Sequence, residues 1–282
     1  METRFDRNIR FFGAEGQQLL RQATVAIIGV GGLGTHVVQQ LTHLGVGRLI
    51  VIDDEDLDET NKNRYVGSYA EDPTTGLMKV EIGNRMAGLI DPSVRVERMP
   101  ISLLTRAVLS RLESVDYVMG CVDKDGPRLV LTEHCLAFSR PYIDLASDIN
   151  AKNGAYGGRV CIAQNGDGCL VCMDQLDLKQ AREDLENPAQ RRAREEIYGI
   201  DRKDLDRAGP SVISINGAVA SLGVTELLVA VTGIRKPKRL LTYRGHIGGV
   251  TVSKDEPRGN CYYCREIYGI GVEADTRRYA RD

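Results

Sequence analysis

The sequence predicts an α/β fold, with a Rossmann-like, doubly wound and mostly parallel sheet and a partly antiparallel extension on the C-terminal side. Three observations support this prediction. Short apolar runs alternate with segments of helical apolar spacing up to about residue 146. A glycine-rich turn joins the first apolar run to the helix that follows it. Beyond residue 146 the alternation stops and hairpin-like stretches take its place.

The first half of the chain contains the alternating elements. A short helix is expected to end at residues 19–21, and residues 24–28 and 48–53 are continuous apolar runs. Such runs are typical of parallel strands that are buried on both faces. Residues 35–44, between the two runs, have helical spacing. Further helices are expected over 79–90, 103–112 and 128–138, and further strands over 94–99, 116–122 and 141–146.

The second half has a different pattern. A strand is expected over 157–163, and a long polar segment, 174–209, separates it from an apolar helix over 212–231. Residues 240–243 and 249–252 then predict a hairpin. These strands would extend the parallel sheet in an antiparallel manner.

Composition places the chain among ordinary globular proteins. Of its 282 residues, 42% are hydrophobic and 27% are charged. The net charge of -2, without a block of like charges, gives no indication of a nucleic-acid partner. The charged start has no apolar signal region, and we expect no apolar run long enough to span a bilayer. These features predict a cytoplasmic protein without a membrane partner.

The glycine turn predicts a nucleotide site. Gly29, Gly31, Gly32 and Gly34 lie between a strand and a helix, where backbone amides can approach a phosphate and the helix dipole favours negative charge. Asp53 ends the next strand, at the distance expected for an acid that binds a ribose hydroxyl. The alternative is a tight turn between strand and helix that binds no ligand.

The residues after Asp53 favour ATP as the nucleotide. An acidic loop over 54–59 is followed by Asn61 and Arg64, and a dehydrogenase has no need of such a segment beside its cofactor. An ATP site that releases pyrophosphate needs cations, and Arg64 and Lys79 could neutralise the β- and γ-phosphates while a carboxylate holds magnesium. The alternative for Arg64 is an ordinary solvated arginine.

Two cysteine pairs predict a metal site. The chain has seven cysteines, and four of them form two Cys-x-x-Cys pairs, Cys169/Cys172 and Cys261/Cys264. Four thiolates suit a tetrahedral, structural Zn²⁺ ion. The alternatives are buried free thiols or, under oxidation, disulfides. The three remaining cysteines lie in apolar runs and are expected to be core residues, namely Cys121, Cys135 and Cys161.

Taken together, these segments resemble the ThiF/MoeB/HesA family, bacterial relatives of the ubiquitin-activating enzymes, over nearly the whole chain. The resemblance rests on five motifs in order. They are Arg-Phe-Asp-Arg at 4–7, Gly-x-Gly-Gly-Leu-Gly at 29–34, Asp53 with Asn-x-x-Arg at 61–64, Gly-x-x-Lys ending at Lys79, and Cys-x-Asp at 121–123.

The resemblance implies a role for each motif. Asp53 would bind the ribose of ATP, Asn61, Arg64 and Lys79 would hold its triphosphate, and Asp123 would coordinate Mg²⁺. Arg7 would be an arginine finger that reaches into the site of the other subunit of a homodimer. Without the resemblance, Arg7 would be interpreted as a solvated charge near the N-terminus. Family members also carry the two cysteine pairs, which supports zinc.

The resemblance also implies the activity. The enzyme would use ATP to adenylate the C-terminal carboxylate of a small ubiquitin-like or sulfur-carrier protein ending in glycine, with release of pyrophosphate. The activated group would pass to a thiol or to a downstream conjugating or sulfur-transfer enzyme. Residues 1–282 would form one adenylation domain, with a nucleotide-binding half over 1–146. The other half, 147–282, would contain the crossing loop, the zinc site and the acceptor-binding surface.

One departure from the family pattern concerns the acceptor thiol. Many relatives have a cysteine in the loop before the late apolar helix, and residues 202–212 contain none here. We therefore expect no dedicated catalytic cysteine.

Three alternatives remain open at this point. One is an enzyme of the same type that acts on a tRNA base or a small peptide. Another is an NAD-dependent oxidoreductase, which would leave Asn61, Arg64, Lys79 and both cysteine pairs without a role. The last is a non-catalytic partner subunit, and the presence of Arg64, Lys79 and Asp123 argues against it.

Overall fold

The computed structural model describes residues 4–187, 209–266 and 271–281, except for the side chains of residues 266 and 272. In this part of the chain, eight strands form one sheet and seven α-helices surround it. The helices are α1 (Asp6–Gln22), α2 (Gly32–Leu44), α3 (Lys79–Ile90), α4 (Arg106–Leu112), α5 (Asp125–Ala137), α6 (Leu178–Asp184) and α7 (Ile213–Thr232). The strands are β1 (Thr24–Ile28), β2 (Arg48–Ile52), β3 (Arg95–Met99), β4 (Tyr117–Gly120), β5 (Tyr142–Asn150), β6 (Ala155–Ala163), β7 (Leu240–Arg244) and β8 (Gly249–Val252).

The sheet has a parallel and an antiparallel part, as the sequence predicts. Its strand order is β3-β2-β1-β4-β5-β6-β7-β8. The first five strands in this order are parallel, and β5 to β8 pair antiparallel. The chain order reverses direction between β1 and β4. In open α/β sheets, ligands bind at such a switch point, beyond the carboxyl ends of the strands.

The β1 strand shows why this region is rigid. Its side chains alternate between two apolar layers, and Val25 to Ile28 are fully or almost fully buried. Val25 and Ile27 pack with residues of α1, α2, α3 and α7. Ala26 and Ile28 pack with residues of α4, α5 and the cysteine-rich segment. Burial on both faces explains the continuous apolar run in the sequence.

The α7 helix corrects one expectation. It contains 20 residues, and its mean hydropathy of 1.6 over an 18-residue window is sufficient for a membrane span by length and composition alone. The expectation that no apolar run reaches this length is therefore wrong. Half of that window is buried inside the protein, where α7 packs against α1, α2, β5 and β6. Such packing is typical of a core helix.

Most predicted elements are confirmed, and the differences lie at their ends. The helix over 79–90 has the predicted bounds, but α1 is longer than the short helix expected there and is kinked at Gly13, where φ is +80°. The α4 helix starts later than expected because the Thr105 hydroxyl accepts a hydrogen bond from the amide of Val108 and caps it. The polar segment 174–209 includes residues 188–208, which lie outside the described part of the chain.

Candidate active site

The glycine turn leads from β1 into α2 and has one open side. Gly29 has a φ of +84°, and a Cβ atom there would lie 2.9 Å from the carbonyl oxygen of Cys121. A Cβ atom on Gly34 would lie 2.0 Å from the carbonyl oxygen of Gly29. These two glycines are therefore required by packing. A Cβ atom on Gly31 would meet nothing within 4 Å, so this side of the turn is open to a ligand at the N-terminus of α2.

The carboxylate of Asp53 lies directly beside this turn. Its Oδ2 accepts a hydrogen bond from the amide of Val30 at 2.7 Å, and its Oδ1 accepts one from the amide of Glu55 at 3.0 Å. Burial raises the pKa of Asp53 above its usual value, while the Lys79 ammonium and the two amides oppose that change. The structure thus brings the predicted ribose-binding acid to the end of the strand next to β1.

Lys79 begins α3, and its ammonium group lies within the acidic loop. The side chain contacts the carboxylate of Glu55, and the Lys79 amide donates to the Glu55 carbonyl at 3.0 Å. Lys79 is only 7% exposed. A buried ammonium needs a partner because the loss of hydration is costly. Glu55 provides that partner.

Asn61 and Arg64 lie on a short 3₁₀ turn, Glu59–Asn61, and the residues that follow it. The Asn61 side chain also stabilises this turn, a structural role that was not predicted from the sequence. Its Oδ1 accepts from the amide of Asp58 at 3.3 Å, while Asp58 Oδ1 accepts from the amide of Asn61 at 3.1 Å. This reciprocal capping box holds the turn.

The Arg64 side chain extends across the glycine turn. Its Nη1 donates to the carbonyl of Thr60 at 2.6 Å and to Asn63 Oδ1 at 3.0 Å. A Cβ atom on Gly32 would lie 3.2 Å from Arg64 Cγ, so the stem of the arginine rests on this glycine. The structure therefore brings Arg64, with a partly buried side chain, to the glycine turn.

Asp123 lies on the loop after β4, which reaches the same edge of the sheet. The amide of Cys121 donates to the carbonyl of Ile28 at 2.8 Å and so fixes this loop beside the end of β1. Asp123 is exposed, and no hydrogen bond or ion pair to it is found within the described residues. An exposed carboxylate with this freedom fits a magnesium ligand.

A buried charged cluster beneath this loop was not found from the sequence. Asp144 on β5 is fully buried, and it accepts from the hydroxyl of Tyr142 at 2.6 Å and contacts the guanidinium of Arg159. Arg128 Nε lies 3.5 Å from the same carboxylate. The Arg128 Nη2 donates to the carbonyl of Val122 at 2.8 Å, so the cluster supports the backbone just before Asp123. No local signal marks Asp144, because it lies within an apolar strand.

Arg7 is placed differently from the other predicted site residues. It lies in the first turn of α1 and is exposed. Within the described ranges, none of its contacts connects it to the glycine turn, the acidic loop or Asp123. Its role in the site of a second subunit stays a prediction.

The four paired cysteines form one buried cluster. The Sγ atoms are separated by 3.8 Å for Cys169 and Cys172, 3.7 Å for Cys169 and Cys261, and 3.9 Å for Cys172 and Cys264. All four Sγ atoms lie within 4.8 Å of one another. Tetrahedral Zn²⁺ with Zn–S bonds of about 2.3 Å requires sulfur separations of about 3.8 Å, so the cluster fits zinc.

The state of these thiols also fits a metal site. All seven cysteines are free, which excludes the disulfide alternative in this structure. Hydrogen bonds from the thiol and the amide of Cys169 lower the pKa of the Cys172 thiol, whereas the hydrogen bond to Cys172 raises the pKa of Cys169 and burial raises that of Cys264. A thiolate is the form that binds a metal ion. Four protein ligands leave no open position, so the site would be structural.

The chain is similar to known proteins over almost its full length. The model of the ThiF family matches residues 5–265. Protein HesA, vegetative, from Trichormus variabilis is 27% identical over 256 residues, which are 90% of this chain and 84% of that protein.

Two further relatives match about half of the chain. The sulfur carrier protein adenylyltransferase of Thermus thermophilus is 31% identical over 131 residues, covering 46% of this chain and 48% of its own. The tRNA threonylcarbamoyladenosine dehydratase of Bacillus subtilis is 31% identical over 154 residues, covering 54% and 59%.

Among solved structures, E. coli MccB with ATP has a similar fold. Its TM-score is 0.71 and its sequence identity is 20%, and the match covers 94% of this chain and 75% of MccB. At this identity the likeness concerns the fold alone.

Proposed function

The chain belongs to the ThiF family and is an ATP-dependent adenylyltransferase, and from this premise we propose that it adenylates the C-terminal carboxylate of a small ubiquitin-like or sulfur-carrier protein ending in glycine. One observation carries the proposal. The glycine turn after β1, the two cations of the segment between β2 and β3, and the exposed acid after β4 lie at the same edge of the sheet, called the candidate nucleotide edge below. This membership leaves the NAD-dependent oxidoreductase without support, and the presence of Arg64, Lys79 and Asp123 argues against a non-catalytic subunit.

The proposed roles follow the positions of the side chains. Asp53 binds the ribose, and Asn61, Arg64 and Lys79 hold the triphosphate. Asp123 is proposed to hold Mg²⁺, which when bound supplies positive charge near the α-phosphate. Because the phosphates carry several negative charges, we expect them to displace Glu55 from Lys79.

The chemical step is one displacement at phosphorus. A carboxylate oxygen of the partner forms a bond to the α-phosphorus, the bond from that phosphorus to the bridging oxygen breaks, and pyrophosphate leaves with the electron pair. The attacking carboxylate is already ionised near neutral pH, so no general base is needed. Catalysis then depends on positioning and on the cations that stabilise the developing charge.

The cysteines indicate what happens to the adenylate. All seven lie in the described part of the chain, and four of them form the metal cluster. Cys135 and Cys161 are fully buried, and burial raises the pKa of Cys161 to about 12. Burial also raises the pKa of Cys121 and Cys135. Cys121 is partly exposed, but none of the three thiols outside the cluster has a lowered pKa, and we propose that the acyl-adenylate passes to a nucleophile on another protein.

A tRNA base is the second candidate substrate. The similarity to the tRNA-modifying relative of Bacillus subtilis favours it. The net charge of -2 gives no basic footprint for a nucleic acid. A small-peptide substrate would require the same displacement at phosphorus and is separated from the main proposal only by the size of the acyl donor.

Two further features belong to this proposal. The homodimer with Arg7 acting in the partner's site is proposed because Arg7 is exposed on α1. The division into a nucleotide-binding half over 1–146 and an acceptor-binding half over 147–282 is proposed within one domain. The β5 strand crosses that boundary, so both halves would share one sheet.

Calorimetry with the purified protein tests the nucleotide site first. Mg-ATP is expected to bind, NAD is not, and Asp123→Ala is expected to weaken Mg-ATP binding at unchanged melting temperature. Glu59→Ala, which removes an exposed acid of the acidic loop after β2, is the matched control and should bind like the wild type. Binding of NAD without binding of ATP would contradict the proposal.

Exchange of labelled pyrophosphate into ATP then tests the substrate. It should depend on a ubiquitin-like protein from the same genome and should stop when the terminal glycine of that protein is removed. Exchange that depends on tRNA and on none of the ubiquitin-like proteins would replace this substrate class by the second candidate.

A further inference from the structure

A series of hydrogen bonds connects the start of α7 to residues 63 and 64, which follow the acidic loop. Asn216 is 2% exposed, and both ends of its amide are hydrogen-bonded. Its Oδ1 accepts from Ser147 Oγ of β5 at 2.8 Å, and its Nδ2 donates to Ser211 Oγ at 3.0 Å. The carbonyl of Ser211 accepts in turn from Asn63 Nδ2 at 3.3 Å. Ser147, Asn216, Ser211 and Asn63 are called the Asn216 relay below.

The relay ends at Arg64. Asn63 Oδ1 accepts from Arg64 Nη1 at 3.0 Å, so one amide joins Ser211 to the guanidinium. Asn216 and Arg64 also flank the same glycine. A Cβ atom on Gly32 would lie 2.5 Å from Asn216 Nδ2 and 3.2 Å from Arg64 Cγ.

The position of Asn216 in an apolar helix needs an explanation beyond packing. The α7 helix is strongly apolar, and an apolar side chain would fill this position without the cost of burying an amide. A buried amide is tolerated when its donors and acceptors are satisfied, and it then selects one arrangement of its partners. Here those partners lead to the glycine turn on one side and to β5 on the other.

We propose that Asn216 is a positioning residue for ATP binding. Through Ser211 and Asn63 it holds the Arg64 guanidinium over the glycine turn, and through Ser147 it ties this arrangement to β5. A free arginine side chain loses rotamer entropy when it is immobilised. A guanidinium that is oriented in advance loses less of it when phosphate binds. The inference rests on the proposed role of Arg64 at the triphosphate.

A double-mutant cycle with calorimetric Mg-ATP binding tests the relay. Asn216→Val is expected to weaken binding about tenfold, which corresponds to the loss of one or two buried hydrogen bonds. In an Arg64→Ala background the same substitution is expected to cause no further loss, because it acts through Arg64. Ser221→Ala is the matched control, since Ser221 lies on the same helix and its hydroxyl accepts a hydrogen bond from Gln40 Nε2 of α2 at 3.1 Å.

The outcomes separate the relay from a general effect on the fold. Equal weakening by Asn216→Val with and without Arg64 would overturn the inference, and so would unchanged ATP affinity in the folded variant. If Asn216→Val does not fold, ATP binding is measured with Asn63→Ala instead, because Asn63 is exposed and lies outside the core. This variant must weaken ATP binding, and wild-type affinity would overturn the relay. A wild-type protein that binds no ATP would refute the nucleotide site itself, and the relay with it.

Discussion

The candidate nucleotide edge and the cysteine cluster are both assembled from distant parts of the chain, but the first is open to solvent and the second is closed. In the cluster, four buried thiols face one another and leave no position for another ligand. At the candidate nucleotide edge, Gly31 is open, Asp123 is exposed, and Lys79 is paired with Glu55, whose carboxylate is largely exposed. A closed site can stabilise the fold, whereas an open site retains the capacity to bind a substrate.

The largest expected difference between the two regions concerns stability. Cys261→Ser should remove the metal ion and strongly lower the melting temperature, because binding energy at a structural zinc site is also folding energy. Elemental analysis should find about one zinc per chain in the wild type and far less in the variant. The matched control is Cys161→Ala, a buried thiol outside the cluster. It should retain zinc and lose only about 1 kcal/mol. An equally stable, zinc-free wild type would contradict the comparison.

A smaller effect is expected at the candidate nucleotide edge, where the substitution should increase the affinity for ATP. Glu55→Gln removes the carboxylate that holds Lys79, so ATP should bind more tightly, by about two- to fivefold for a partly exposed ion pair. The melting temperature should fall, because the buried Lys79 ammonium loses its carboxylate partner. The control is Glu59→Gln, which removes a similar acid paired with Lys62 on the surface. Weaker ATP binding by Glu55→Gln would show that Glu55 orients Lys79 rather than competing with phosphate.

The smallest effect concerns the pH dependence of stability. Burial raises the pKa of Asp53. At a pH above that pKa, the charged carboxylate is therefore less favourable in the folded state than in the unfolded state. Asp53→Asn should therefore stabilise the protein slightly at pH 7, although ATP binding weakens. The gain should shrink as the pH falls through the raised pKa and vanish below about pH 4, the usual value for an aspartate.

Asp72 provides the opposite case for the same melting experiment. A hydrogen-bonded pair with Arg85 lowers the pKa of Asp72, so Asp72→Asn should destabilise at pH 7. That loss should fade as the pH falls from the usual aspartate value through the lowered pKa. The same sign for both substitutions would contradict this assignment.

The elements of the parallel sheet were predictable from the sequence because burial on both faces produces continuous apolar runs. The helix over 79–90 has the predicted bounds, and residues 24–28 form β1 as expected. The start of α4 was not predicted correctly, since it depends on the single side chain of Thr105 that caps it, and α5 begins at Asp125, before the expected residue 128. The length of α1 was missed because a kink at Gly13 interrupts its pattern.

The sequence by itself determined the chemistry of both sites. The glycine spacing, the acid at the end of β2 and the two cysteine pairs predicted a phosphate-binding turn and a four-thiolate cluster, because few other residue patterns provide those ligands. Only the tertiary structure decided how these groups are held. It paired Lys79 with Glu55, buried Asp144 beneath Val122 and joined Asn216 to Arg64. These contacts join residues from separate elements, and such contacts leave no local periodicity or spacing from which they can be predicted.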